Sequence, residues 1–294
     1  MFEIESPPLI LNRYSKYVPP KNQLLKWVGN KQKFASEITK HFPSNFNRYF
    51  EPFLGSGAVL ATVNPISGYG SDTFSPLMEI WTKLKEDPLG LVEWYKGWRD
   101  QIEVEKKELV YHRVRESYNL NPNGKDFLYL SRSCYGGIIR FRRDGHMSTP
   151  CGVHTPIPVN SFSERVNIWH KRVKNTEFLS QDYKDAFNLA SQGDLIYCDP
   201  PYSHSQSILY GAQDFSLEDL LTEISKAKSK GIHVALSIDG NKKSGNRICD
   251  LPIPEGLFEK EIFIDCGKSM LRRFQIEGQK MNGEGVFDRL LLTY

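Results

Sequence analysis

Asp194-Leu195-Ile196-Tyr197-Cys198-Asp199-Pro200-Pro201-Tyr202 is the stretch on which the fold turns. Its short apolar run reads as a buried or half-buried strand, with Asp199 directly after it at the carboxy end. Open α/β sheets bind their ligands at that edge. Pro200 and Pro201 carry no N–H and have restricted φ, so they stiffen the turn and hold backbone carbonyls towards a bound group. A rigid cluster of acceptors results, although a proline-rich turn whose aspartate caps the next segment would share the same four residues.

Such a cluster suits an aromatic amine. Adenine N6 is a poor nucleophile because its lone pair is delocalised into the ring. Acceptors on its two hydrogens, here Asp199 and the Pro200 carbonyl, draw the nitrogen towards tetrahedral geometry and localise that pair, while Tyr202 can stack on the base. If the group attacked is a methyl on a sulfonium, the protein mainly supplies positioning and electrostatics, and no metal is required.

Upstream, Glu51-Pro52-Phe53-Leu54-Gly55-Ser56-Gly57 reads as a strand running into a glycine turn that opens a helix. Gly55 and Gly57 would let the backbone approach a ligand, and Phe53 would offer it an apolar surface. An ordinary strand-to-helix turn is the plainer reading. Asp72 lies beyond Gly55 by about the distance at which an acid on the next strand meets a nucleoside's ribose hydroxyls. Further upstream, in Lys26-Trp27-Val28-Gly29-Asn30-Lys31, Trp27 could cover a ligand and Lys31 pair with a carboxylate; a tryptophan at the edge of the core is the alternative.

The rest of the chain alternates strand and helix around one interruption. Residues 1–20, with Pro7, Pro8, Pro19 and Pro20, read as an extended arm. Phe34, Ile38 and His41 share a helix face, and 67–72 reads as a strand ending in an acid. Leu217 to Gly231 form a strong amphipathic helix stopped by Gly231. The segments HVALSID, FIDC and DRLLLTY supply later strands. Between them lies a polar, aromatic, helical stretch followed by an arginine-rich one. The expectation is a doubly wound α/β sheet built from 1–83 and 176–294, with 84–175 inserted as helices plus a hairpin.

The chain has 294 residues, 39% of them hydrophobic, enough to bury a sizeable core. No run approaches the roughly 18 apolar residues of a membrane helix, and the start lacks the order of a signal peptide, so a cytoplasmic location with no membrane partner is expected. The five cysteines are scattered and never in a C-x-x-C pair, which suggests reduced thiols and no metal site. A net charge of +3 is small, but Arg132, Arg140, Arg142 and Arg143 cluster, followed by Lys171, Arg172 and Lys174.

Taken in order, KWVGNK, FEPFLGSGAV, SD, the arginine-rich insertion and YCDPPY resemble the D12 class of N6-adenine DNA methyltransferases, from about residue 24 to the end. The resemblance implies S-adenosylmethionine as cofactor, lined by Trp27, Lys31, Phe53, Gly55, Gly57, Asp72, Asp182 and Asp199. Asp199, Pro200 and Tyr202 would then hold a flipped-out adenine in double-stranded DNA. It also assigns Ser131 to Arg140 to a target recognition domain, with Arg132, Tyr135, Arg140, Arg142 and Arg143 contacting nucleic acid. Asn30 stands where the family has glycine, Ser131 where it has asparagine, and Phe74-Ser75 where an asparagine follows the ribose-binding acid. Ile238-Asp239-Gly240 also replaces the serine-asparagine common in housekeeping members. These departures suggest a divergent branch, the modification partner of a restriction system whose endonuclease acts separately. Methylation of cytosine N4, RNA or a protein amide, and a non-catalytic DNA binder on the same scaffold, are the competing readings.

Overall fold

The computed structural model describes residues 18–201, 215–239, 253–266 and 287–294. Seven strands form its sheet: β1 (Tyr49–Glu51), β2 (Gly68–Asp72), β3 (Thr176–Ser180), β4 (Leu195–Cys198), β5 (His233–Asp239), β6 (Lys260–Asp265) and β7 (Phe287–Leu292). They lie in the order β3-β2-β1-β4-β5-β7-β6. The first five run parallel to one another, and β7 runs antiparallel to both β5 and β6. The order reverses between β1 and β4, which opens a crevice beyond the carboxy ends of those strands.

The central strands are buried throughout because both faces are covered. All four residues of β4 and all three of β1 are buried. Alternation sends Leu195 and Tyr197 into one cluster and Ile196 and Cys198 into the other. The second cluster is closed by α8 (Tyr183–Leu189) and α9 (Leu217–Ser229). Ser216 caps α9 by accepting from the Asp219 N–H at 3.2 Å, and the chain turns out of the helix at Gly231, whose φ is +72°, as the sequence anticipates.

On the other face lie α1 (Ala35–Thr39), α2 (Ala58–Val63), α3 (Ser75–Glu86), α4 (Pro88–Arg99), α5 (Lys107–Leu120), α6 (Gly124–Ser133) and α7 (Val159–Val173). The first is shorter than the sequence suggests: Phe34 is its N-cap and His41 follows it. The expected start of the insertion, residue 84, falls inside α3, and one apolar cluster runs from Leu60 and Trp81 through Leu84 to Tyr95, Phe127 and Trp169. The helices of the middle segment therefore share a core with the sheet. Beyond α6, bridges at Cys134–Cys151 and Phe141–Met147 make an antiparallel hairpin that turns at Gly145, φ +79°.

Candidate active site

The crevice at the switch point holds a cavity of about 400 Å³. Trp27, Lys31, Phe53, Gly55, Asp72, Asp182, Asp199 and Pro200 all line it, so eight residues singled out in five separate stretches of sequence meet around one cavity. Tyr202 lies outside the described residues.

The glycine turn is built by packing. Gly55 has φ +45°, and a Cβ there would stand 2.7 Å from Trp27 Nε1, so only glycine lets the indole close over the turn. Its carbonyl accepts from Trp81 Nε1 at 3.2 Å and its N–H donates to Asp72 Oδ2 at 3.2 Å. Asp72 also accepts the Phe74 N–H at 3.1 Å; burial raises its pKa above the ordinary value, against the lowering by these hydrogen bonds. Gly57 departs from its expected role. It is absent from the cavity wall, and a Cβ on it would meet Trp81 at 2.8 Å, so its missing side chain makes room for that indole.

Opposite stands an aromatic wall. Phe53 stacks on Tyr183 at 5.3 Å between centroids and meets Phe215 edge-on at 5.8 Å. Asp182 caps α8, accepting from the Lys184 N–H at 2.9 Å. Tyr183 and Phe215 were invisible as site residues in the sequence, where single aromatics carry no distinguishing pattern.

At the end of β4, Asp199 Oδ1 lies 3.0 Å from Lys31 Nζ, and the same ammonium is 3.1 Å from Asp288 Oδ2. Lys31 thus pairs with two carboxylates of the protein itself. Glu51, at the end of β1, is buried beside them and accepts from Tyr49 Oη at 2.7 Å. Burial first, and the charge of Asp199 after the opposing Tyr49 hydrogen bond, push Glu51 up to about 8. Neither Glu51 nor Asp288 is expected from the sequence, although each is an acid abutting an apolar strand run.

The arginines divide. Arg140, Arg142 and Arg143 are exposed on the hairpin, and Tyr135 is 45% exposed at its root. Arg132 points inward, which differs from its expected setting among the nucleic-acid contacts. It donates to Leu24 O at 2.5 Å, and burial, then the neighbouring Arg165, lowers it to about 10. Arg165 donates to Gln23 O at 2.9 Å and Trp169 Nε1 to Asn22 O at 2.8 Å. Helices α6 and α7 thereby clamp the segment leading into Trp27 and Lys31. Phe74, at the position of a departure from the family pattern, joins hairpin to cavity: it packs 5.7 Å from Phe141 and 6.3 Å from Trp27.

Among the described residues, no group of three or more histidine, cysteine, aspartate or glutamate side chains could hold a metal ion, and no helix is long and apolar enough to cross a membrane.

Comparison with known proteins identifies the family. A family model described as D12 class N6 adenine-specific DNA methyltransferase matches residues 27–251. The retron Ec67 DNA adenine methylase of Escherichia coli is 28% identical over 187 residues, 61% of this chain and 63% of that protein, so the match spans less than two thirds of the relative. The type II methyltransferase M.MjaIII of Methanocaldococcus jannaschii is 26% identical over 296 residues, 92% of this chain and 98% of its own length. A DNA adenine methylase of Vibrio cholerae is 26% identical over 226 residues, covering 72% and 79% of the two chains. With most of its length matched by the family, and with Asp199 at the mouth of the switch-point cavity, this chain belongs to the D12 class N6 adenine-specific DNA methyltransferases.

Proposed function

We propose that the protein transfers a methyl group from S-adenosylmethionine to N6 of an adenine flipped out of double-stranded DNA. The observation that carries this reading is the single cavity in which Asp199, the glycine turn and Asp72 face one another. The residues suit that cofactor: an apolar surface of Phe53, Tyr183 and Phe215 for a nucleoside base, Asp72 for ribose hydroxyls, Asp182 for an exocyclic amine, and Trp27 as a cover. The volume of about 400 Å³ is within the usual range of ligand pockets. When bound, S-adenosylmethionine supplies an electrophilic methyl on a sulfonium.

The chain's own residues do the rest. Lys31 anchors one oxygen of Asp199 and so fixes the plane of its carboxylate. Asp199 and the Pro200 carbonyl accept the two N6 hydrogens, which localises the nitrogen lone pair for attack. Tyr202 stacks on the extruded base. Flipping costs a few kcal/mol, offset by DNA contacts from Tyr135, Arg140, Arg142 and Arg143 on the hairpin of the inserted target recognition domain, 84–175. Arg132 supports this surface from beneath by holding Leu24.

Purified protein with labelled S-adenosylmethionine and unmethylated DNA is expected to yield N6-methyladenine on mass spectrometry of the nucleosides. N4-methylcytosine, or label appearing only in RNA or protein, overturns the base assignment. The finer reading is a modification enzyme of a restriction system, supported by end-to-end similarity to a type II methyltransferase. It predicts one short sequence motif methylated throughout the host DNA, with a separate endonuclease blocked by that mark; scattered methylation without a motif contradicts it.

A further inference from the structure

The antiparallel strand β7 has a consequence for the site. Because β7 is reversed, its first residues, rather than its last, reach the edge where β4 ends. Asp288 is the second residue of that strand, paired in register with Asp239 of β5 and Ile264 of β6. Its carboxylate lies 3.1 Å from Lys31 Nζ, on the ammonium that holds Asp199 at 3.0 Å. The three side chains are 7%, 19% and 13% exposed for Lys31, Asp199 and Asp288, so their charges act on one another with little screening.

We propose that Asp288 is a positioning residue for methyl transfer, acting through Lys31 to fix Asp199. This inference rests on the reading of Asp199 as acceptor of the N6 hydrogens. A lysine side chain has four rotatable carbons and a compact charge, so a single partner leaves its direction loosely set. A second carboxylate on the same ammonium narrows its location, and that location sets where the Asp199 oxygen is held. Asp288 is itself held in place by its backbone, in register between β5 and β6. Asp288 also shares the lysine's charge. Without it, Lys31 acts more strongly on Asp199 and makes that carboxylate a weaker acceptor for the amine.

The test is steady-state methylation by the full-length protein carrying Asp288→Asn or Asp288→Glu, with duplex DNA as substrate. Asp288→Asn is expected to lower kcat by about tenfold while changing the KM for S-adenosylmethionine by less than about threefold, as lost alignment rather than lost binding requires. Asp288→Glu, which keeps the carboxylate, should recover most of kcat and also serves as the informative variant should the asparagine form not fold. A kcat within about twofold of wild type for Asp288→Asn overturns the proposal. So does a fall in kcat and melting temperature together with a rise in cofactor KM in both variants without rescue, because that is the pattern of a merely structural residue. If the wild type makes no N6-methyladenine, the underlying reading of Asp199 fails; an active wild type with an indifferent Asp288 overturns the role of Asp288 alone.

Discussion

An aspartate stands at each end of β4, and the two are in opposite circumstances. Asp194, at the amino end, is 1% exposed and saturated by the protein: it accepts the Arg48 N–H at 3.0 Å, the Arg48 guanidinium at 2.7 Å and the Ser191 N–H at 2.8 Å. The guanidinium meanwhile lies 5.1 Å over the Phe50 ring. Asp199, at the carboxy end, shares the Lys31 ammonium with Asp288, has a buried acid beside it, and lines the cavity. One edge of the sheet places its charges to close the fold. At the other they are crowded around the wall of a cavity.

Removing the clasp should give the largest effect on stability. Asp194→Ala leaves Arg48 without its carboxylate and is expected to cost about 3 kcal/mol in urea denaturation, with methylation per folded molecule preserved. A loss of activity without a loss of stability would erase the distinction between the two edges. Gly55→Ala comes next. Its Cβ would fall 2.7 Å from Trp27 Nε1 on a backbone with φ +45°, so calorimetry should show S-adenosylmethionine binding weakened by about thirtyfold. Unchanged binding would mean that the tryptophan is not a cover.

Glu51 sharpens the contrast through pH. In the fold it keeps its proton to about pH 8, whereas its unfolded value is near 4.5. The folded state therefore binds more protons between these values, and the stability contributed by this group is lost as pH rises through the interval. Glu51→Gln removes that slope, so unfolding free energies of wild type and variant should diverge by about 3 kcal/mol between pH 5 and pH 8. Parallel curves would contradict a buried, crowded acid. The smallest effect is expected on the exposed hairpin. Arg143→Ala should weaken DNA binding about fivefold and reduce the slope of log affinity against log salt by about 0.9, whereas Arg132→Ala should lower stability and leave the slope alone.

How much of this was legible in the sequence follows from the range over which each feature is encoded. The strands β1, β4 and β5, the glycine turn and the stop at Gly231 are local patterns, and the structure agrees with them. The convergence of Trp27, Gly55, Asp72 and Asp199 on one cavity follows from the strand order once a doubly wound sheet is expected. Direction was not legible. Arg132 counts as one more charge in an arginine cluster, and only its place on α6 shows it turned towards Leu24. Gly57 resembles a ligand-contacting glycine because the sequence does not show that Trp81 occupies its space. Asp288 reaches the site only because β7 is reversed, a property of the topology that no local run of residues displays.

The most direct test of the account is Asp199→Ala assayed in single turnover on unmethylated duplex DNA, with the dissociation constant for S-adenosylmethionine measured in parallel. The account predicts a fall in methyl transfer of about 10³-fold or more, with a melting temperature close to wild type and cofactor affinity within about tenfold, because the lost group acts on the base being methylated. Full transfer by Asp199→Ala would contradict it, and the open end of β4 would then have no part in the chemistry.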